Sequence, residues 1–236
     1  MPGYKKEQLT SYTLGITLTI ELLKVMPENV LRVYFQDKFE GEGKNKIIAL
    51  CQRNHIDMVE SNKIFNALNV KDNCFVIGEF KKFNHELTNG NHLVLVNPSD
   101  AGNIGTIMRS ALGFGVLNLI IIKPAVDVFN PKAVRSSMGA LFHLNIKYYD
   151  TFSEYFKDHQ DYHFFPFMLK AKIVLNEINE PLPKPFGLIF GNEATGLSDD
   201  FLKVGTPIII KHSNLIDSLN LPIAVSIGLY EVTKRG

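Results

Sequence analysis

The sequence has no tryptophan, only two cysteines and no excess of either charge. Cys51 and Cys74 are too few for a disulfide framework or a cysteine-based zinc site, which favours a reducing cytosol. Lys and Arg total 25 against 24 Asp and Glu, so the chain lacks the basic excess of an indiscriminate nucleic-acid binder. Any contact with RNA or DNA must therefore be local.

Long apolar runs are also missing. The longest run, residues 116–122, includes Asn118 and is far shorter than the roughly 20 residues that span a bilayer. A weakly apolar stretch at residues 12–20 is followed by Glu21 and Lys24 and has no small-residue cleavage site. We therefore predict a cytoplasmic protein with neither a signal peptide nor a transmembrane segment.

What is present is typical of a folded α/β protein. Hydrophobic residues make up 45% of the 236 residues and charged residues 21%, and the length suits two unequal domains, although a single domain of this size is possible. In the first third, apolar runs alternate with amphipathic stretches. This pattern predicts helices at residues 14–26, 45–53 and 61–68, strands at 30–35 and 74–77, and a polar linker at 79–90.

Beyond residue 91 several apolar runs show almost no alternation between polar and apolar positions. Strands of this kind are typical of a parallel sheet that is covered on both faces, so we predict a doubly covered α/β sheet. An apolar helix at 223–232 follows, with Asn220 as its N-cap and Pro222 in its first turn. The predicted strands are residues 92–96, 116–122, 144–148, 162–168, 186–190 and 207–210.

Three stretches combine glycine, asparagine and charged residues at the ends of predicted strands, where open α/β sheets bind their ligands. In the first, residues 97–109, Asn103 can cap a helix that carries Arg109 two turns further on. In the second, 190–198, two glycines bracket Glu193 and Ser198 is placed to cap a helix. The third, 208–222, leads into the apolar helix. Taken alone, the first stretch is equally compatible with an ordinary turn before a helix, and a capped loop explains Ser198 in the second stretch but does not explain Glu193.

Together the three stretches resemble, in order and internal spacing, the three motifs of the SpoU (TrmH-type) branch of the SPOUT RNA methyltransferases. Asn103 and Arg109 resemble the Asn and Arg of the first motif. The second motif is matched by Gly191-Asn192-Glu193 with Gly196-Leu197, and the third by Ser218-Leu219-Asn220 before Leu221-Pro222. The resemblance covers about residue 93 to the C-terminus. It departs from the family at His212 and Asn214, where Met and Gly are frequent, which affects the expected cofactor loop.

The resemblance implies a fold that periodicity does not reveal. Residues 89–236 are expected to form a trefoil-knotted α/β SPOUT domain with a parallel sheet, in which the third stretch is threaded through an earlier loop. S-adenosylmethionine is expected to bind in the knot, and the active unit is expected to be a homodimer. Residues 1–88 more weakly resemble a small α/β ribosomal-protein-L30e-like domain that binds the RNA substrate, on the basis of residues 15–23 and 74–78.

The activity implied by the resemblance is 2′-O-methylation of ribose in RNA, with ribosomal RNA favoured and transfer RNA second. A noncatalytic RNA-binding protein on the same fold is the alternative. A guanidinium is a poor base, so Arg109 is expected to hold the ribose or a phosphate and to stabilise the developing alkoxide. Glu193 would order Arg109 or contact RNA, and Asn103 would fix its turn and bind the substrate or Arg109. The predicted catalytic residues are Arg109, Asn103, Glu193, Ser218 and Asn220; the predicted cofactor residues are Leu188, Phe190, Gly191, Asn192, Gly196, Ile210, Ser218 and Leu219.

Other signatures are weak. Gly113-Phe114-Gly115 lacks the third glycine of a dinucleotide-binding fingerprint, and the sequence contains no Walker A motif. His159 and His163 have the spacing of metal ligands on a helix, but the acidic HExxH signature is absent. We therefore predict that the reaction needs no metal.

Overall fold

The computed structural model of the chain describes residues 3–37, 39–70 and 73–234. It divides into two compact units. The first unit comprises Met1–Phe83 and Asp127–His143, and the second comprises Asn84–Val126 and Leu144–Gly236. The predicted boundary at residues 88 and 89 lies close to the first change of unit. The single break that we predicted differs from this division, because residues 127–143 belong to the first unit.

The strands of the described residues fall into two main sheets and one short pair. In chain order they are β1 (Thr10–Leu14), β2 (Val30–Phe35), β3 (Asp57–Glu60), β4 (Val76–Lys81), β5 (His92–Val96), β6 (Asn118–Ile122), β7 (Asn145–Tyr149), β8 (His163–Pro166), β9 (Ile173–Val174), β10 (Phe186–Phe190) and β11 (Ile208–Ile209). The α-helices are α1 (Ile16–Val25), α2 (Glu42–Arg53), α3 (Asn62–Ala67), α4 (Ala101–Gly113), α5 (Pro131–Ser136), α6 (Phe152–Asp158) and α7 (Leu221–Thr233).

The sheet of the second unit is parallel throughout, with strand order β7-β6-β5-β10-β8. Every residue of β5, β6 and β10 is buried. Such strands are covered on both faces, as the apolar runs predict. The short parallel pair of β9 and β11 brings Ile208 beside Ile173. Strands β8 and β11 are shorter than the strands predicted at 162–168 and 207–210.

The sheet of the first unit has the order β1-β4-β2-β3, with β4 antiparallel to both of its neighbours and β3 parallel to β2. The apolar pattern did not predict β1, because two of its inward residues are polar. Ser11 and Thr13 are fully buried, and the Thr13 and Thr19 hydroxyl oxygens lie 2.8 Å apart. It also did not predict β3, an edge strand whose four residues are all exposed.

The segment 127–143 completes the core of the first unit. Its helix α5 packs against β1, and the Ser11 hydroxyl donates a hydrogen bond to the Phe129 carbonyl. Four phenylalanine rings interlock beside it: Phe142 meets Phe80 edge-on at 5.6 Å, and Phe129 meets Phe83 edge-on at 5.1 Å. A segment that follows β6 in sequence is therefore part of the N-terminal unit in space.

Several predicted boundaries move in the structure. The first helix begins only at Ile16, because residues 10–14 form β1. The linker predicted at 79–90 is wrong in its first residues, since β4 continues to Lys81. Ser198 precedes only a short 3-10 helix and makes no capping hydrogen bond through its side chain. Within the described residues, the helices are too short or too polar to cross a membrane.

Candidate cofactor and active site

A cavity of about 470 Å³ lies beyond the carboxyl ends of β8 and β10 in the second unit. Its volume is within the range of roughly 300–1,000 Å³ that is usual for small-molecule sites. Residues that follow the two strands form one side, and the third stretch with the start of α7 forms the other. The lining residues are Phe167 to Lys170, Phe190 to Asp199, Ile209, Ile210, His212, Asp217 to Leu219, Leu221 and Ala224.

Two aromatic rings form one wall of this cavity. Phe167 and Phe190 are stacked with their centroids 4.3 Å apart and their planes within 14° of each other. Gly228 of α7 packs against them, and a β-carbon at this position would lie 3.0 Å from Phe190 Cζ and 3.1 Å from Phe167 Cζ. The helix can approach this wall closely because it presents a hydrogen atom at residue 228 and no side chain.

The second stretch closes on itself through its glycines. A β-carbon on Gly191 would lie 2.2 Å from the carbonyl carbon of Gly196, a distance that no packed pair of atoms tolerates. Gly196 has a φ of +66°, which favours glycine, and its amide donates to the Asn192 carbonyl at 2.9 Å. Asn192 fastens the loop to the first stretch, since its Nδ2 donates to the Asn97 carbonyl at 2.8 Å.

Glu193 holds the second stretch against the first. Its carboxylate accepts hydrogen bonds from the Ser99 amide at 3.0 Å, the Ser99 hydroxyl at 2.8 Å and the Asp100 amide at 3.1 Å. Asn103 Nδ2 donates a longer one at 3.3 Å. Partial burial by itself would raise the pKa of this carboxyl, but the hydrogen bonds from its own amide, Ser99 and Asp100 outweigh it and lower the pKa. Glu193 is therefore anionic at neutral pH.

The prediction that Asn103 caps α4 is wrong. Asp100 occupies the N-cap and its side chain accepts from the Asn103 amide at 2.8 Å, so Asn103 lies inside the first turn. A carboxylate is favoured at a helix N-terminus because it meets unpaired amides and the positive end of the helix dipole. The displaced Asn103 side chain is then available to donate to Glu193.

Arg109 lies on the exposed surface of α4, two turns beyond the first stretch. It is not one of the residues that line the cavity. Within the described residues, neither Glu193 nor Asn103 is hydrogen-bonded to Arg109: Glu193 accepts from the Ser99 and Asp100 amides, and the Asn103 side chain donates to Glu193.

The third stretch contributes Ser218 and Leu219 to the cavity, whereas Asn220 does not line it. Asn220 is the N-cap residue of α7, as predicted, and Pro222 is in the first turn. Its side chain makes no capping hydrogen bond, however; its backbone carbonyl accepts from the Ala224 amide at 3.0 Å.

All of the predicted cofactor residues line the cavity except Leu188, which is buried inside β10. The residues after β8, from Phe167 to Lys170, line it too and were not predicted. Lys170 forms an ion pair with Asp199 at 2.7 Å, and both belong to the lining. The signal that could have found them is the end of the predicted strand at residue 168, since parallel strands present their carboxyl ends at one edge of the sheet.

The two departures from the family pattern have different consequences. His212 lines the cavity, and its Nδ1 lies 3.0 Å from the Ser213 carbonyl. Asn214 is exposed and its φ is not in the left-handed region, so the backbone there does not require glycine. The replacement of glycine at residue 214 therefore introduces no backbone strain.

The histidine pair considered from its spacing does not form a metal site. His159 follows the end of α6 and contacts the Tyr149 hydroxyl at 3.2 Å, whereas His163 begins β8 and is exposed. Among residues 3–37, 39–70 and 73–234, no group of three or more His, Cys, Asp and Glu side chains is arranged to hold a metal ion.

A parallel α/β sheet with a small-molecule cavity beyond its carboxyl ends defines a ligand-binding α/β protein. The chain belongs to the SpoU rRNA Methylase family, whose family model matches residues 90–230. This match confirms the family that the three stretches predict.

Individual relatives agree with this assignment. A protein described as an uncharacterized tRNA/rRNA methyltransferase from Synechocystis is 34% identical over 147 residues, which cover 61% of this chain and 53% of that relative. This chain thus spans about half the length of that curated relative. A 23S rRNA (uridine(2479)-2′-O)-methyltransferase from Streptomyces viridochromogenes is 53% identical over 47 residues, 20% of this chain and 16% of that relative.

A solved structure shares the fold of nearly the whole chain. The crystal structure of an AdoMet-bound rRNA methyltransferase from Sinorhizobium meliloti matches with a TM-score of 0.80 and 23% identity, over 96% of this chain and 87% of that one. At this level of identity the match shows the fold alone. The predicted parallel α/β fold of the SPOUT methyltransferases is confirmed.

Proposed function

We propose that the protein transfers a methyl group from S-adenosylmethionine to the 2′-hydroxyl of a ribose in RNA. The observation that carries this proposal is the convergence of the three stretches. The second and third line a single cavity, and the first is joined to it through the hydrogen bonds of Glu193. Membership of the SpoU rRNA Methylase family supports the reaction class.

The cavity suits the proposed cofactor in size and in chemistry. Leu197, Ile210 and Leu219 supply apolar surface for an adenine ring, while Asn192 and Ser218 supply polar groups for the ribose and the amino-acid part. The loop that carries Gly191 is closed so tightly against Gly196 that it leaves no room for a β-carbon at residue 191. When bound, S-adenosylmethionine supplies a methyl group made electrophilic by a positively charged sulfur.

The residues of this chain then orient the ribose and handle its charge. We assign to Arg109 the role of holding the ribose or an adjacent phosphate and stabilising the negative charge that develops on the 2′-oxygen. The proton of that hydroxyl passes to a substrate phosphate or to water, because a guanidinium stays protonated. In-line positioning of the reacting atoms supplies much of the rate.

Glu193 and Asn103 are positioning residues in the proposed reaction and do not contact the reacting atoms. The Glu193 carboxylate fixes the turn at Ser99 and Asp100, and this turn begins the helix that carries Arg109. Ser218 shapes the cavity, and Asn220 starts the helix that closes it. A shift in any of these loops displaces Arg109 relative to the cavity, and small displacements are costly in such reactions.

Ribosomal RNA is the favoured substrate and transfer RNA the second candidate. The names of the family and of its relatives include both kinds of RNA. The first unit, which we propose is an L30e-like domain that binds the RNA, has 14 Lys and Arg against 11 Asp and Glu. Its net charge of +3 supports this role. The active form is proposed to be a cytoplasmic homodimer whose second unit is knotted, as the family resemblance implies.

The proposal is tested by incubating the protein with methyl-tritiated S-adenosylmethionine and RNA from cells that lack the gene. We expect the label in ribosomal RNA and its recovery in dinucleotides that resist alkaline hydrolysis, because a 2′-methyl group removes the internal nucleophile of RNA cleavage. Label released with the nucleobase would refute the ribose assignment. RNA binding without any calorimetric heat from S-adenosylmethionine would favour the noncatalytic alternative.

A further inference from the structure

The first unit contains a groove of its own, with a volume of about 460 Å³. All of its lining residues belong to that unit, in three parts of the chain: the N-terminal segment with the end of β1, the turn after α3, and the start of α5. They are Gly3, Tyr4, Leu14, Ala67, Leu68, Asn69, Asn130, Pro131, Lys132 and Arg135. None of these residues takes part in the site described above.

The charge of this groove is of one sign. Lys132 and Arg135 are both exposed, and the described residues that line the groove include no carboxylate. The surrounding unit carries a net charge of +3. A groove with cations at its rim and no lining acid attracts an anionic ligand, and a guanidinium matches a phosphate group in shape and charge.

An aromatic ring is held in place at the same groove. The Tyr4 hydroxyl donates a hydrogen bond to Asp127, and the Lys82 ammonium lies 4.9 Å from the centre of the Tyr4 ring. Lys82 is itself tied to Asp127 at 3.0 Å and to the Lys6 carbonyl at 2.7 Å. These contacts fix the ring, and a fixed ring that lines a groove is a surface on which a nucleobase can stack.

The remaining lining residues suit the rest of a nucleotide. Leu14 and Leu68 add apolar surface beside the ring. Asn130 is oriented by a hydrogen bond that its Oδ1 accepts from the Lys132 amide at 2.9 Å, and Asn69 sits in a left-handed turn with a φ of +48°. Their amides can both donate to and accept from the polar edge of a base.

We propose that this groove binds one unstacked nucleotide of the substrate RNA, with its base against Tyr4 and its phosphate at Arg135 and Lys132. This inference rests on the proposed function, since it places part of the RNA substrate on the first unit. A base must leave its helix to enter such a groove. The groove therefore selects single-stranded or looped RNA over a continuous duplex, and it does so with little preference for base identity.

Direct binding measurements on the full chain test the proposal. Fluorescence anisotropy would compare a labelled single-stranded RNA of 12 nucleotides with the same sequence in a duplex. Arg135→Gln is expected to weaken single-strand binding about tenfold and to reduce the slope of log affinity against log salt by about 0.7, the value for one lost phosphate contact. Arg53→Gln removes the same charge from an exposed position in the last turn of α2, outside the groove, and is expected to change affinity less than twofold.

Two variants of Tyr4 test whether a base stacks on its ring. Tyr4→Leu should weaken binding about tenfold through the lost stacking. Tyr4→Phe loses the hydrogen bond to Asp127 but keeps the ring and its contact with Lys82, so it should bind within twofold of the wild type. RNA that carries 5-iodouridine should crosslink to a peptide containing Tyr4. Because this crosslink is measured on the wild-type protein, it is independent of whether Tyr4→Leu folds.

The outcomes separate the groove from the proposed function. If the wild type binds RNA but Arg135→Gln behaves like Arg53→Gln and no crosslink reaches Tyr4, the groove is refuted and the methyltransferase proposal stands. If the wild type binds S-adenosylmethionine by calorimetry but no RNA, the RNA substrate and the groove are refuted together.

Discussion

The two units differ in where their polar residues lie. In the second unit, the three central strands are buried at every position, so polar residues are concentrated in the loops at the strand ends, where the cavity forms. In the first unit, strand β3 is exposed along its whole length and β2 is exposed at Leu31. Central strands covered on both faces confine polar residues to the strand ends, whereas an exposed edge strand such as β3 carries its charged side chains along the strand.

The two units also differ in net charge. The second unit has 11 Lys and Arg against 13 Asp and Glu, a net charge of −2, whereas the first has a net charge of +3. Dividing the chain at a single point conceals this difference, because Lys132 and Arg135 come late in the sequence but belong to the first unit. The contrast is expected if, as proposed, the second unit carries out methyl transfer and the first unit attracts the RNA.

The largest effect is expected when the chain is shortened so that residues 127–143 lose the rest of the first unit. A chain that begins at residue 84 would expose the faces of Val128, Phe129 and Phe142 that the first unit buries. Burial of each such side chain stabilises by about 1.5–3 kcal/mol, so this chain should aggregate or bind a hydrophobic dye. Replacing residues 127–143 with a short Gly-Ser linker as well should restore a soluble protein that still binds S-adenosylmethionine.

Size-exclusion chromatography and calorimetry of the two shortened chains check this expectation. A soluble, cofactor-binding chain that keeps residues 127–143 without the first unit would show that the segment does not depend on its partners there.

The second-largest effect is expected on the methylation rate. Arg109→Ala should lower the methylation rate by at least roughly a hundredfold, the scale for removing one donor that stabilises transition-state charge, while the affinity for S-adenosylmethionine barely changes. Arg109→Lys should recover little, because an ammonium does not reproduce the bidentate fork. Single-turnover kinetics and calorimetry give the two quantities. Arg53→Ala, an exposed arginine of the first unit, is the control and should keep the wild-type rate.

Gly191→Ala should damage cofactor binding and leave the first unit intact. The new methyl group would collide with the Gly196 carbonyl carbon, so the loop must open. Overpacking of about 2 kcal/mol corresponds to a loss of about thirtyfold in affinity for S-adenosylmethionine, measured by calorimetry. Gly113→Ala is the matched control, since no atom lies within 4 Å of its β-carbon position. Equal affinities for the two variants would contradict the tight closure of the loop.

The smallest effect is expected on the stability of the second unit, at the amino ends of its parallel strands, which lie opposite the cavity. His92, at the start of β5, is buried between the Tyr155 and Tyr162 hydroxyls, which lie 3.0 and 3.1 Å from its ring nitrogens. Burial, with a smaller contribution from His159, lowers the pKa of His92 from 6.5 to about 3. The unfolded chain therefore takes up a proton below pH 6.5 that the folded chain refuses until about pH 3, so stability falls as the pH is lowered through that window.

His92→Phe should lower the free energy of unfolding by about 1–2 kcal/mol at pH 7, because two tyrosine hydroxyls lose a partner. It should also flatten the decline in stability between pH 6.5 and 4. Urea unfolding at several pH values measures both effects, with the exposed His163→Phe as control. An undiminished pH dependence in His92→Phe would show that another group is responsible.

The strands of the second unit could be predicted from the sequence because their short runs rich in Val, Ile and Leu are typical of strands covered on both faces and are too short for helices. Strand β1 could not, because the side chains that it buries include Ser11 and Thr13, and a local apolar pattern does not register buried hydroxyls that find partners elsewhere. The three motifs were recognisable because their residue types and spacings are local properties of the chain.

Local sequence patterns were therefore sufficient to predict the α/β class, the family and the segments that build the site. They did not indicate which distant residues meet in the folded chain: Glu193 with Asn103, Ser11 with Phe129, and Tyr4 with Arg135 around one groove. These pairs are separated by 90 or more positions in sequence. Their contact depends on the order of the strands in the sheets and on which unit a connecting segment joins. The short-range periodicity of side chains indicates neither of these.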